Sequence, residues 1–445
     1  MTVLWHGVAL AAGPQPLGVF PPPASLLVLP DRPESGAALE ALRAGDLDGE
    51  LPAGWEFFRR AACGDVQGAL AALDALADGA EPSTANAADA LLLAYDRFVL
   101  APDPETLARL ERELTGDLAL LLACAAFSAG LSDRSPSPSR AVPATDPSLD
   151  AVAWMIRAAA EMEEGRLDAA LAALDAGIGI SRAASPLLAA QLLGQRSAWL
   201  RSSDPRAALA ALREAVELAR GGRLRPLRVD LCLALGSQLQ ESAATPADTD
   251  RGGLLAAIDA YREAIHCGLS LEDDPEDYAL AQNNLGLLYL ALPMREAGDP
   301  LRMGVAVQSF REALEVFRRE THPEEWSSAR LNLANALQYL PSSHPEENLI
   351  QAVEIYEELL GVRNPAVDPL GIARLLANQA NALAHLGIFP PALAKLDEAR
   401  RLFHGHGTPD LAASALERAE RIHERLAAGR ASAGIDRTEL AEVAR

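Results

Sequence analysis

Apolar residues return every three or four positions over residues 51–131 and again over 151–428, and the runs are broken at Pro, Gly and Asp. That period is the one an α-helix imposes when one face is buried, so both stretches predict successive helices. Between them, "SDRSPSPSRAVPATDPSLD" (132–150) gathers serine, proline and aspartate in the proportions of a linker. Residues 1–50 follow another pattern. "PQPLGVFPPPASLLVLPDRP" is proline-rich, and "TVLWHGVAL" and "SLLVLP" are short β-capable runs. This N-terminal arm reads either as a small strand pair or as an arm laid against the helices. Residues 429–445 read as a charged tail.

Inside the helical text the pattern repeats. "AYREAIHCG" around Tyr261 returns as "SFREALEVF" around Phe310 and as "IYEELLGV" around Tyr356, with the aromatic positions 49 and then 46 residues apart. "KLDEARRLF" places Leu396 in the same slot after a further 40. Self-similarity at this period describes helical hairpins stacked side by side, each burying its apolar face against the next. The expected fold class is all-α.

The unit resembles the tetratricopeptide repeat, in which a helix A with a Leu, Gly and Tyr pattern precedes a helix B with Ala, an aromatic and Ala. Leu285, Gly286 and Tyr289 match helix A of one unit, and Ala306, Phe310 and Ala313 match its helix B. Leu235, Gly236 and Leu239 with Ala257, Tyr261 and Ala264 form an upstream unit. Leu333, Ala334 and Leu337 with Ala352, Tyr356 and Leu359 follow, then Ala380 and Leu383 with Ala392, Leu396 and Ala399. The resemblance implies a right-handed superhelix, an α-solenoid of helix pairs. Three units depart from the standard spacing. The step from helix A to the first helix B alanine is 18 residues at Leu239–Ala257, 17 at Tyr289–Ala306 and 15 at Leu337–Ala352, against 9 at Leu383–Ala392. Insertions on one edge of the stack are therefore expected, at "TPADTDRGG", "MREAGDPLRMG" and "SSHPEEN". Such long-period units resemble the "NNLG" repeats beside CHAT-type peptidase domains and, more distantly, those of kinesin light chains. No such catalytic domain follows here.

Three helix A segments, "YALAQNNLGLLYL" from Tyr278, "WSSARLNLANALQYL" from Trp326 and "IARLLANQANALAHL" from Ile372, keep asparagine in mid-helix. Asparagine is a mediocre helix former, because its amide competes for backbone hydrogen bonds. Positions 2, 6, 9 and 13 of each segment trace one stripe. The stripes read Leu280, Asn284, Leu287, Ala291; Ser328, Asn332, Asn335, Tyr339; and Arg374, Asn378, Asn381, His385. The resemblance places this stripe on the concave surface of the superhelix. An amide offers both donor and acceptor, so a row of them can pair with the backbone of an extended peptide. The candidate partner-binding residues are Asn284, Asn332, Asn335, Tyr339, Arg374, Asn378, Asn381 and His385. The other reading has the amides bond to the neighbouring helix and set repeat geometry. Asn283, at the edge of the stripe, reads as a spacer or inter-repeat contact.

Composition narrows the function. Aromatics are 4 % and the formal net charge is −23, so the chain lacks the broad basic footprint of a nucleic-acid binder and suits anionic membranes no better. Cys63, Cys124, Cys232 and Cys267 are far apart and read as buried thiols of a reducing cytosol. No basic n-region marks a signal peptide and no apolar run reaches transmembrane length, which implies a cytoplasmic protein. "HGHG" (His404, His406) lacks the company a metal site needs, "GDLDGE" lacks most calcium ligands, and "GIGIS" follows no strand. No convergent catalytic set is legible, so no enzyme, metal or cofactor is expected. The sequence predicts an interaction scaffold that binds a protein or peptide partner. One form of that job, given to many bacterial proteins of this type, is an assembly chaperone or accessory factor for a multi-subunit enzyme. The alternative is a peptide- or ligand-responsive sensor.

Overall fold

The computed structural model describes residues 2–5, 8–11, 20, 23–29, 36–79, 87–136, 138, 147–243, 251–292, 299–342 and 344–442. By contacts the chain divides into Met1–Gln238 and Leu239–Arg445, and the division falls inside a helix.

The first unit opens with an antiparallel strand pair, β1 (Thr2–Trp5) and β2 (Val8–Ala11), in which Thr2 faces Ala11 and Trp5 faces Val8. A short helix α1 (Gly36–Arg43) precedes α2 (Glu56–Ala62), α3 (Val66–Gly79), α4 (Ala87–Leu100), α5 (Pro104–Glu113) and α6 (Gly116–Ser128). The arm is both things the sequence left open. Its first residues pair as strands, while Phe20 and residues 24–29 are buried. "SLLVLP" is no strand: Ala24–Leu26 forms one 3₁₀ turn. The Val28 N–H donates to Asp96 Oδ1 at 2.7 Å, and the Tyr95 hydroxyl donates to the Leu26 carbonyl at 2.7 Å. Phe20 meets Phe58 edge-on, with ring centroids 5.4 Å apart. Burial pushes the Asp96 carboxyl well above its ordinary range against the opposing pull of the Val28 N–H. Desolvation likewise pushes the Cys124 thiol up to about 12.

Four further helices follow, α7 (Pro147–Glu163), α8 (Leu167–Ala184), α9 (Pro186–Leu200) and α10 (Pro205–Ala219), and α11 (Arg225–Ala243) carries the division between units. Residues 137 and 139–146 of the expected linker lie outside the described residues, and α7 is already helical at Pro147. Cys63 is exposed, which corrects its reading as a buried thiol, because it caps the end of α2 rather than facing the core. None of the four cysteines is in a disulfide.

The second unit is a stack of antiparallel helix pairs. Helix α12 (Arg251–His266) leads into α13 (Pro275–Ala291) with α14 (Asp299–Val316), α15 (Pro323–Leu337) with α16 (Pro345–Val362), and α17 (Pro369–His385) with α18 (Phe389–Gly405). Helix α19 (Pro409–Glu442) packs on α18 and closes the stack. It runs through the segment expected to be a tail, since the backbone stays helical to Glu442. Each pair meets through the repeat residues. Tyr261, Phe310, Tyr356 and Leu396 are all buried, with Ala257, Ala306, Ala352 and Ala392 fully so. A Cβ on Gly286 would lie 2.6 Å from the Phe310 ring, so only glycine lets the two helices approach this closely. Helix starts are written locally: Asp274, His322, His344 and Asp368 precede Pro275, Pro323, Pro345 and Pro369. A proline costs nothing at the first helical position, where its missing N–H would have no partner. The Glu and Asp residues that follow complement the helix dipole.

The inserted residues do not all become loop. Helices α14 and α16 begin seven residues before Ala306 and Ala352, and α12 six before Ala257, whereas α18 begins only three before Ala392. About one extra turn of helix thus absorbs part of each insertion. Residues 244–250, 293–298 and 343, also within or beside the insertions, lie outside the described residues.

Candidate functional site

The stripe exists as a face of α13, α15 and α17. Asn284, Asn332, Asn335, Asn378 and Asn381 are half-buried, and Leu280, Ser328, Tyr339, Arg374 and His385 are exposed around them. Leu287 packs on the apolar core and drops out of the polar row.

The amides pair across the stack. Asn284 Nδ2 donates to the Tyr261 hydroxyl at 3.0 Å, and that hydroxyl donates to Gln240 Oε1 at 3.4 Å. One repeat on, helix B carries Phe310, which has no hydroxyl to offer. Asn332 Nδ2 instead reaches Asn283 Oδ1 at 3.4 Å, so Asn283 is an inter-repeat contact. The next step is the most developed. Asn335 Oδ1 accepts from the Tyr356 hydroxyl at 2.7 Å and from Asn378 Nδ2 at 3.0 Å. The Tyr356 hydroxyl in turn accepts from Gln338 Nε2, and Gln338 Oε1 accepts from Asn381 Nδ2 at 2.9 Å. Asn381 also approaches the Tyr339 hydroxyl at 3.5 Å. Burial raises the Tyr356 phenol well above its ordinary range, so the ring stays a neutral donor at the centre of this cluster.

These bonds consume only part of each amide. A neutral amide has two N–H donors and an oxygen with two lone pairs. Among the described residues, Asn335 Nδ2 and the Oδ1 atoms of Asn332, Asn378 and Asn381 have no hydrogen-bond partner. The ladder therefore fixes each side chain in orientation and leaves donors and acceptors over.

Asn335 and Asn332 differ in structural weight. Asn335→Ala strips a buried phenol of its acceptor and is expected to lower stability by about 1–2 kcal/mol. Asn332→Ala removes one long bond and is expected to change it by less than about 0.5 kcal/mol. Thermal melting of the two variants beside the parent chain checks both; equal melting losses would mean that the tyrosine-centred cluster carries no special weight.

Several polar residues of this region have no counterpart in the repeat motif. Gln282 Nε2 donates to Tyr278 Oη at 2.9 Å and to Glu312 Oε2 at 2.6 Å, tying α13 to α14. Gln379 Nε2 donates to Glu357 Oε2 at 2.5 Å, with Lys395 Nζ 3.5 Å from the same oxygen. That donation, ahead of the lysine, holds the Glu357 carboxyl below its usual value. Glutamine is ordinary in a helix and the two stand at different positions of the repeat, so nothing in the sequence flags them.

The stripe ends at a cavity of about 270 Å³ lined by Tyr339, Asn381 and His385 together with Arg418, Arg421 and Arg425 of α19. At the far end of α18, His404 lies in the last helical turn and His406 follows it. Among the described residues no group of three or more His, Cys, Asp or Glu side chains is placed to hold a metal ion, and no helix is long and apolar enough to cross a membrane.

No family model and no curated protein matches the chain. Solved structures do. The apo form of RapI is 12 % identical, with a TM-score of 0.42 over 85 % of this chain and 98 % of that one. A Rap protein complexed with competence and sporulation factor is 14 % identical, with a TM-score of 0.30 over 84 % and 97 %. Yeast Tom70 is 12 % identical, with a TM-score of 0.24 over 83 % and 81 %. At scores this low the tetratricopeptide-like solenoid rests on the chain's own helix pairs and their repeat residues.

Proposed function

We propose that this chain is a non-enzymatic interaction scaffold of the long-period tetratricopeptide kind, and that the α13, α15 and α17 face holds an extended segment of a partner protein. The observation that carries the reading is the half-used amide ladder. Side chains locked by one set of hydrogen bonds, with further atoms open, are pre-organised to meet a peptide backbone, which offers both N–H donors and C=O acceptors. The two readings of the asparagines are then compatible, since the bonds that set repeat geometry also aim the remaining atoms. Exposed Leu280, Ser328, Tyr339, Arg374 and His385 supply side-chain contacts around that polar row.

The test uses a partner recovered by affinity purification from the native host. Asn332→Ala/Asn378→Ala is expected to weaken its binding by about 1–2 kcal/mol through lost backbone hydrogen bonds. The melting temperature should stay near that of the parent, because Asn335 still accepts from Tyr356 and alanine is the better helix former. Unchanged affinity in a well-folded double variant would sink the reading.

A further inference from the structure

Arg418, Arg421 and Arg425 follow one another at three- and four-residue steps on α19, which brings all three to one stripe of the helix and to one cavity wall. His385 and Asn381 of α17 and Tyr339 beyond α15 complete the polar lining. Among the described residues none of the three arginines has an ion-pair or hydrogen-bond partner. The Arg425 guanidinium carbon lies 5.4 Å from the Phe389 ring centroid, a cation–π contact that leaves its net positive charge without a counter-anion. Glu417 and Glu424 stand four and three residues from Arg421 on α19 but neither lines the cavity or pairs with an arginine of it, and Glu420 lines a different cavity with Asp397 and Arg400. The charge in the cavity is therefore not balanced from within, in a chain whose formal net charge is −23.

Three arginines lining one cavity call for an anion, and charge count decides which. A single carboxylate would neutralise one of the three. A phosphate monoester carries about −1.5 to −2 near neutral pH and presents three acceptor oxygens, enough to receive forked donation from more than one arginine. The Tyr339 hydroxyl and the His385 ring can add further donors. Ala380, Ala384, Leu396 and Ile422 form the apolar part of the lining, which suits a carbon stem better than a free ion. Position argues the same way, because Asn381, Tyr339 and His385 belong both to the cavity and to the end of the amide stripe. We infer that this cavity receives the phosphate of a phosphorylated side chain on the peptide segment held along α13, α15 and α17, an inference that rests on the proposed binding face.

Three peptides, fluorescein-Gly-Ala-Leu-X-Leu-Ala-Gly-amide with X as phosphoserine, serine or glutamate, test it by polarisation against the full chain. The phosphoserine form is expected to bind at least about tenfold tighter than the other two. Arg418→Gln/Arg421→Gln should remove that advantage and leave the serine form unchanged, while Arg418→Lys/Arg421→Lys should keep part of it, since lysine keeps the charge without the fork. Melting curves confirm that these variants fold. Asn332→Ala/Asn378→Ala should weaken all three peptides alike and preserve their ratio. If it leaves all three unchanged while the arginine variants still abolish the phosphate preference, the amide face fails and the phosphate pocket stands. Equal binding of the three forms, a phosphate preference that survives arginine loss, or no binding of the phosphoserine form would overturn the pocket. Inorganic phosphate competing as well as the phosphopeptide would overturn the assignment to a peptide.

Discussion

Phe310→Ala is expected to cost the second unit about 3–5 kcal/mol, the range for emptying a buried aromatic site. The ring is fully buried between α13 and α14 and belongs to the apolar cluster that joins three successive helix pairs. Gly286 makes the site a sharper test. An alanine there would press its Cβ to 2.6 Å from the ring, so Gly286→Ala alone is expected to cost about 1–3 kcal/mol through overpacking. In the Phe310→Ala background the same methyl enters a vacated space, and its cost should vanish or reverse. Chemical denaturation of the parent, both single variants and the double variant closes the cycle. Additive losses would show that the glycine and the ring are not in the contact described.

The second large effect belongs to the first unit. Asp96 is buried and holds the Val28 N–H, so Asp96→Ala leaves that donor without a partner and is expected to cost about 1–3 kcal/mol. Asp96→Asn keeps an acceptor oxygen and removes the titration. Burial raises the folded-state pKa of Asp96 above its unfolded value near 3.8, so the folded state binds the proton more tightly. Its contribution to stability is therefore full below that unfolded value and declines as pH rises toward the folded one. The stability of Asp96→Asn relative to the parent should accordingly grow as pH increases from about 4. Paired denaturation curves across that range measure the difference directly, and a difference that shrinks with pH would show the carboxylate to be stabilised rather than desolvated.

The helix pairs and their aromatic slots were legible because burial writes a 3.6-residue period and stacking writes it again every 40 to 49 residues. Tyr261, Phe310 and Tyr356 are buried for that reason. The stripe was legible as a row, but not the partners of its amides, which come from helices 21 to 49 positions away. Whether Asn332 meets a hydroxyl depends on Phe310 rather than on any neighbour in sequence. The arginines of α19 were missed because Glu417, Glu420 and Glu424 interleave with them, and the string reads as an ordinary solvated helix until the fold separates the stripes. The burial of residues 24–29 was unreadable, since a proline-rich arm carries no periodic mark of the surface it covers.

That buried arm has a consequence in time. Val28 and Leu26 find their partners 68 and 69 positions along the chain, across loops whose closure must be met before any contact repays it. The helix pairs of the second unit meet neighbours much nearer in sequence, and local contacts form faster. On the ribosome, residues 26–28 are made well before their partners on α4 and are then among the last in the first unit to dock. Leu26 and Val28 wait in the open until α4 has emerged and brought them their partners.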